Sequence, residues 1–300
     1  MHLIGYESIK RGTLILVLLI LGLSTLPGAA QSVWTQSHTA EGIGVEWMKF
    51  ARDNDFRDSD HPSALSSSMF LFGRLKLDPR FYLVGELPLS HWQYIDDDGL
   101  DAQDPHTTVG NLYIGVEWYI SSDVTSDSLS YLELGVRFPS MPQPDFPDQR
   151  GYFSGRMTTV ERVDAFQDDF LPIHLYYNVR LGLNDHVDFR LRTGLAYWSY
   201  QKEAFGSEDE NLDRGYFHYG GIFYFHSPYF NASFGLLGQY WALNQREDYD
   251  HVPASYEIAS HLQYNGMNFQ PGFFIKIPIN TLYDVQAVYG LTAQIPIHRN

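Results

Sequence analysis

Seven charged side chains fall on alternating positions of four short segments: Glu117; Glu133 and Arg137; Arg180; and Asp188, Arg190 and Arg192. Positions two apart on an extended chain share a face. These residues therefore form one polar surface of both signs when the segments lie side by side. Such a surface can do two things. Its charges can pair and fill the space between the segments, or they can line a passage and select solutes by charge. An unpaired buried charge costs several kcal/mol, so pairing is expected in either case, and pore and plug both stay open.

Other chemistry finds little support. The chain has no Cys, which excludes disulfides, thiolate metal sites and Cys nucleophiles. Its twelve His residues show no H-E-x-x-H spacing, and His218 and His226 are eight apart on one strand face, too far to share a metal. In Asp96-Asp97-Asp98-Gly99, the residue five before Gly99 is Tyr94 where a calcium loop needs an oxygen ligand. With Asp53, Asp55, Asp58 and Asp60 this cluster reads as an acidic rim, and weak divalent-cation bridging to lipopolysaccharide is the alternative. Ser90-His91, His226-Ser227 and Ser260-His261 are sequence neighbours, which on a strand point to opposite faces and form no dyad. No G-x-S-x-G elbow or phosphate-binding Gly loop occurs, so no cofactor, no metal and no enzymatic activity are expected.

The elements that position the charges alternate with period two. Leu112, Ile114, Val116, Trp118 and Ile120 oppose Asn111, Tyr113, Gly115, Glu117 and Tyr119. The same pattern runs through 131–138, 171–182 and 187–195, and in weaker form through 42–50, 66–77, 81–90, 215–226, 230–243, 255–264, 269–279 and 284–297. That makes about twelve antiparallel strands in one domain, each long enough to cross a bilayer at a tilt. Short turns at 78–80, 184–185, 227–229 and 265–266 alternate with long links at 51–65, 91–107, 139–170, 201–214 and 244–254. Transmembrane barrels alternate short periplasmic turns and long outer loops in this way. The link at 280–283 is short yet falls on the long-loop side.

Alternation alone does not say which face is inward, since a soluble barrel or sandwich alternates too. Three features favour the membrane. The polar faces carry matched charges. They also hold Gly115, Gly135, Gly182, Gly194 and Gly220, which suit a crowded interior. Finally, rings cluster at strand ends, with Trp118-Tyr119, Phe223, Phe225 and Tyr229 at the short turns and Tyr197-Trp198, Tyr216-Phe217 and Tyr240-Trp241 at the loops. In the long link, Thr158-Thr159-Val160-Glu161 reads as a capping box starting a short helix with Val160, Val163 and Phe166 on one face. That helix either folds into the mouth as a gate or packs on the outer rim.

The N-terminus sets the compartment. Lys10 and Arg11 precede an apolar run from Leu14 to Leu23, and Pro27-Gly28-Ala29-Ala30 supplies small residues for cleavage before about Gln31. Residues 1–30 are expected to be a signal peptide and 31–300 the barrel domain. A net charge of −16 argues against nucleic acid and anionic lipid surfaces as partners.

The block Gly110-Asn111-Leu112-Tyr113-Ile114-Gly115-Val116-Glu117-Trp118-Tyr119 resembles a strand of transporter-like outer-membrane barrels, including those associated with meta-pathway phenol degradation. Glu86-Leu87-Pro88-Leu89, Pro271-Gly272-Phe273-Phe274 and Ile277-Pro278-Ile279 are similar to other short motifs of that family. The resemblance implies a cell outer-membrane barrel passing small or hydrophobic molecules, and it implies no catalytic residues. Many such barrels end on an aromatic residue used in assembly. This chain ends Ile295-Pro296-Ile297-His298-Arg299-Asn300, which leaves the register of the last strand open. The expected function is passive passage of a small or hydrophobic solute, with outer-membrane lipid and the barrel-assembly machinery as partners. A closed structural or adhesive barrel acting through its outer loops is the alternative, and an outer-membrane lipid hydrolase the third.

Overall fold

The computed structural model describes residues 41–52, 61–62, 66–95, 106–120, 128–140, 153–159, 162–167, 170–201, 213–243, 254–266, 268–279 and 285–297. Twelve strands form the wall: β1 (Gly42–Arg52), β2 (Ser67–Asp78), β3 (Phe81–Trp92), β4 (Leu112–Tyr119), β5 (Ser128–Phe138), β6 (Phe170–Asn184), β7 (Val187–Tyr200), β8 (Arg214–His226), β9 (Phe230–Leu243), β10 (Ala254–Tyr264), β11 (Gln270–Ile279) and β12 (Val285–Pro296). Each pairs antiparallel with its sequence neighbour. The ring closes where β12 pairs with β1, from Gly42 opposite Pro296 to Arg52 opposite Val285. Closure gives each of these twelve strands a hydrogen-bonded neighbour on both sides, the condition for crossing a hydrocarbon layer.

The outer face is apolar on every strand. Trp47, Leu77, Leu83, Val116, Leu134, Leu175, Leu195, Phe223, Phe234, Leu262, Ile275 and Leu291 are exposed there, one from each strand in order, and several strands carry more. A soluble monomer rarely exposes a contiguous apolar patch beyond a few hundred Å², so this belt requires a cover, a lipid layer or another protein. The inner face is mostly polar or aromatic, with aliphatic residues such as Met48, Val84, Ile222 and Leu237 among them and Gly where rings crowd. A methyl group on Gly135 would overlap the Tyr113 ring, whose hydroxyl reaches Glu133 from the neighbouring strand. The aromatic pairs expected as girdles divide between the faces. Trp118, Tyr197, Phe217 and Tyr240 point outward, whereas Tyr119, Trp198 and Tyr216 are buried inside. Adjacent strand residues cannot both face outward, so each dipeptide supplies one outer ring and one inner ring. Outer rings do pair near the short turns, with Phe81 stacked on Trp118 at 6.4 Å and Phe230 against Tyr264 at 6.0 Å.

One part of the wall is interrupted. A short piece, His106–Val109, pairs with the end of β3, and β4 pairs with its start. Between them, Gly110 N donates to the Pro88 carbonyl, and Asn111 N leaves the ladder to donate to the Ala165 carbonyl at 2.8 Å. Ala165 belongs to the segment that fills the interior behind this break.

Candidate functional site

Part of the long link between β5 and β6 folds inside the barrel. It carries a six-residue helix, α1 (Phe153–Thr158), and a 3-10 turn, Val163–Phe166. The expected helix start at Thr158 is corrected, because α1 ends there. The Thr158 hydroxyl donates back to the Ser154 carbonyl at 2.8 Å and meets the Ser68 hydroxyl of β2. A side chain bonded to the carbonyl four residues earlier belongs to a last helical turn, not to an N-cap. Val160 and Glu161 lie outside the described residues, and the Val163 backbone opens the 3-10 turn. Phe166 is fully buried, edge-on to Phe70 at 5.7 Å, in a core with Met48, Trp92, Met157, Phe274 and Val288.

The segment is fixed to the wall by charge as well as by rings. Arg162 forks between Glu46 of β1 at 2.7 Å and Glu86 of β3 at 2.8 Å, with its guanidinium 3.9 Å above the Phe70 ring. Asp164 accepts from Arg137 Nε of β5 at 2.9 Å and lies 2.7 Å from His174 Nε2 of β6. Arg137 also reaches Glu86 at 2.8 Å, so Arg162, Glu86, Arg137 and Asp164 form one alternating chain of charge. Burial opposes the charge on Asp164, but Arg137 first and then His174 outweigh it and hold the carboxyl well below its usual range.

The seven alternating charges all sit on the inner face. Glu117 binds Arg74 of β2 at 2.7 Å, and that guanidinium donates to the Tyr119 hydroxyl at 2.6 Å and lies 3.7 Å over the Tyr82 ring. Glu133 accepts from the Tyr113 hydroxyl at 2.7 Å and from Arg192 at 3.0 Å, while Arg192 stacks 3.8 Å over Tyr176. Arg190 donates to the Tyr131 hydroxyl and to Asn178 Oδ1. Nearer the short turns, Asp188 meets Arg180 and His226, each at 2.6 Å. This last group is the most open, since Arg180 retains 24% exposure and His226 34%.

Equally important residues escape the alternation reading. Glu46, Arg74, Glu86, Glu257 and Lys276 are buried inside, with Lys276 3.9 Å from both Glu46 and Glu257. Glu46 lies on the inward set Gly42, Gly44, Glu46 and Met48, a signal that strand order would have exposed. Arg162 and Asp164 carry no such signal, because nothing in their own segment says it enters a barrel. The Ser-His neighbours separate as strand geometry demands. Ser90 is buried and accepts from Gly155 N, while the ring of His91 meets Thr107 on the exposed side; His261 is buried against Thr292. The acidic cluster at 53–60 and 96–99 and residues 1–30 lie outside the described residues. Among the described residues, no cluster of three or more metal-ligating side chains is present.

No family model matches the sequence. No curated protein matches it either. The fold does match solved structures. An outer membrane channel from Pseudomonas putida F1 superimposes with a TM-score of 0.58 at 11% identity, covering 89% of this chain and 99% of that one. The NanC porin superimposes with a TM-score of 0.56 at 10% identity, covering 85% of this chain and all of its own. The chain therefore has the closed twelve-strand barrel fold seen in outer-membrane channels and porins.

Proposed function

We propose that this protein is an outer-membrane channel for passive passage of small or hydrophobic solutes, exported by its N-terminal signal, with the helix Phe153–Thr158 and the turn Val163–Phe166 closing its lumen. One observation carries the reading: a segment outside the sheet is folded into an apolar-belted barrel and held there by ion pairs with the wall. Apolar side chains fill and stabilise an interior at least as well as ion pairs do. Paired charges rehydrate once separated, which suits a path that opens. Lipid, the assembly machinery and a small solute are the partners this reading requires, and none of the interior groups acts as a catalyst in it.

A second reading, a closed structural barrel acting through its loops, draws on the same interior. Arg74, Arg190 and Lys276 are wholly inaccessible to solvent. Planar-bilayer recordings of the refolded chain separate the two. The Ser68→Cys/Thr158→Cys variant is the lever, since the native chain has no thiol and these hydroxyls touch. Channel activity that vanishes on oxidation and returns with reductant supports the gated channel. An inserted barrel that stays silent in both states establishes the structural reading.

A further inference from the structure

Arg137 and His174 make a finished carboxylate site, and its occupant is the chain's own Asp164. Both donors are held from behind by groups other than Asp164. Arg137 uses Nη2 on Glu86 at 2.8 Å and Nη1 on the Asn111 carbonyl at 3.1 Å, while His174 Nδ1 lies 2.8 Å from the Tyr176 hydroxyl. The donors stand on paired wall strands, with Gly135 opposite His174 in the β5–β6 ladder. The acceptor stands on a turn that belongs to no strand. A guanidinium and an imidazole nitrogen converging on one carboxylate oxygen recognise the carboxylate, whatever molecule bears it.

We propose that Arg137 and His174 are the lumen's binding site for a small carboxylate solute, and that Asp164 is an internal stand-in occupying it at rest. The proposal rests on the channel reading above. An arriving carboxylate takes both donors, Asp164 rotates away, and one carboxylate has replaced another there. The turn then loses its link to β5 and β6 while Arg162 still ties it to β1 and β3. The closing segment is thereby loosened on its β5–β6 side, so the solute's own charge promotes its passage.

Propionate, with propionamide as its uncharged counterpart, tests this on the full refolded chain, with folding checked by electrophoretic heat-modifiability. In equilibrium dialysis, Asp164→Ala is expected to bind propionate about tenfold more tightly than the native chain, the factor that one charge-assisted hydrogen bond supplies. Arg137→Gln in that background should abolish the binding, and propionamide should not bind. Asp164→Asn keeps the shape without the charge, and it serves the same comparison if the Ala variant does not fold. In bilayers, propionate should raise opening of the native chain several-fold and leave Asp164→Ala unchanged. Binding to Asp164→Ala no tighter than to the native chain, or binding that survives loss of Arg137, overturns the proposal. If the barrel never conducts while Asp164→Ala still binds propionate through Arg137, the channel reading falls and the carboxylate site stands.

Discussion

Arg162 is the side chain on which the closed interior depends most directly. Its two carboxylate partners, Glu46 and Glu86, are almost fully buried and come from different strands. Replacing Arg162 with Gln leaves both anions facing a neutral group. Breaking a buried pair by removing one partner costs about 3–5 kcal/mol. Arg137 still serves Glu86, and Lys276 lies 3.9 Å from Glu46, so the lower end of that range applies. Arg162→Gln is therefore expected to lower the heat-modifiability midpoint and to raise spontaneous opening. An unchanged midpoint would show that the rings around Phe166 hold the segment unaided. Asp164 gives a pH test with a definite sign. Its folded carboxyl is held below the ordinary value of about 3.9. Its contribution is thus complete above that value and is lost as pH falls through the depressed folded one. The stability difference between the native chain and Asp164→Asn should stay constant from pH 7 to pH 5 and shrink progressively as pH falls below about 4. A difference that already fades near pH 6 would place the controlling proton elsewhere.

At the scale of elements, the packing of strand on strand depends on where rings can lie flat. Tyr113 on β4 crosses Gly135 on β5, and its hydroxyl donates to Glu133 at 2.7 Å, next to the Arg192 contact at 3.0 Å. Gly135→Ala forces the ring aside and disturbs that pairing. Overpacking of this kind costs about 1–3 kcal/mol. The variant should fold with a lower urea midpoint, whereas Gly85→Ala, where a methyl meets only the Tyr113 carbonyl at 3.6 Å, should match the native chain. Equal midpoints for the two variants would dismiss the ring-crossing argument. The strands themselves were legible in sequence, because period two is a local property and each wall strand has unlike faces. Leu132, Leu134 and Val136 against Tyr131, Glu133 and Gly135 state the β5 orientation without help from any partner. The filling segment was not legible, because its place is decided by residues far away in sequence. Thr158 fits a capping box, yet Ser68, ninety residues earlier, takes its hydroxyl at the end of a helix. The doubled rings divide for a related reason: clustering in sequence says which end of a strand they occupy, and alternation sends one ring of each pair outward and one into the lumen.

For the whole molecule, the decisive question is what covers the outer wall. The interior would look much the same in a water-soluble barrel whose apolar belt met another protein. Energetics separate the cases at a single outward position. Leu195 on β7 is 56% exposed, and its neighbours across the ladder are Leu175 and Phe217, also exposed. An Arg there costs about 2–4 kcal/mol if the position lies near the midplane of a bilayer, and close to nothing on a water-facing wall. Glu133→Gln provides the inward comparison, since it removes one partner of a buried pair and is costly in any solvent. Leu195→Arg is thus expected to fold poorly into lipid vesicles while remaining unaffected in the chain's interior pairing, and Glu133→Gln to be destabilised in vesicles and detergent alike. If Leu195→Arg folds into vesicles as readily as the native chain, lipid does not cover this wall. The belt would then need another partner, and the channel reading would lose its foundation, because a path through a barrel matters only where the barrel spans a barrier.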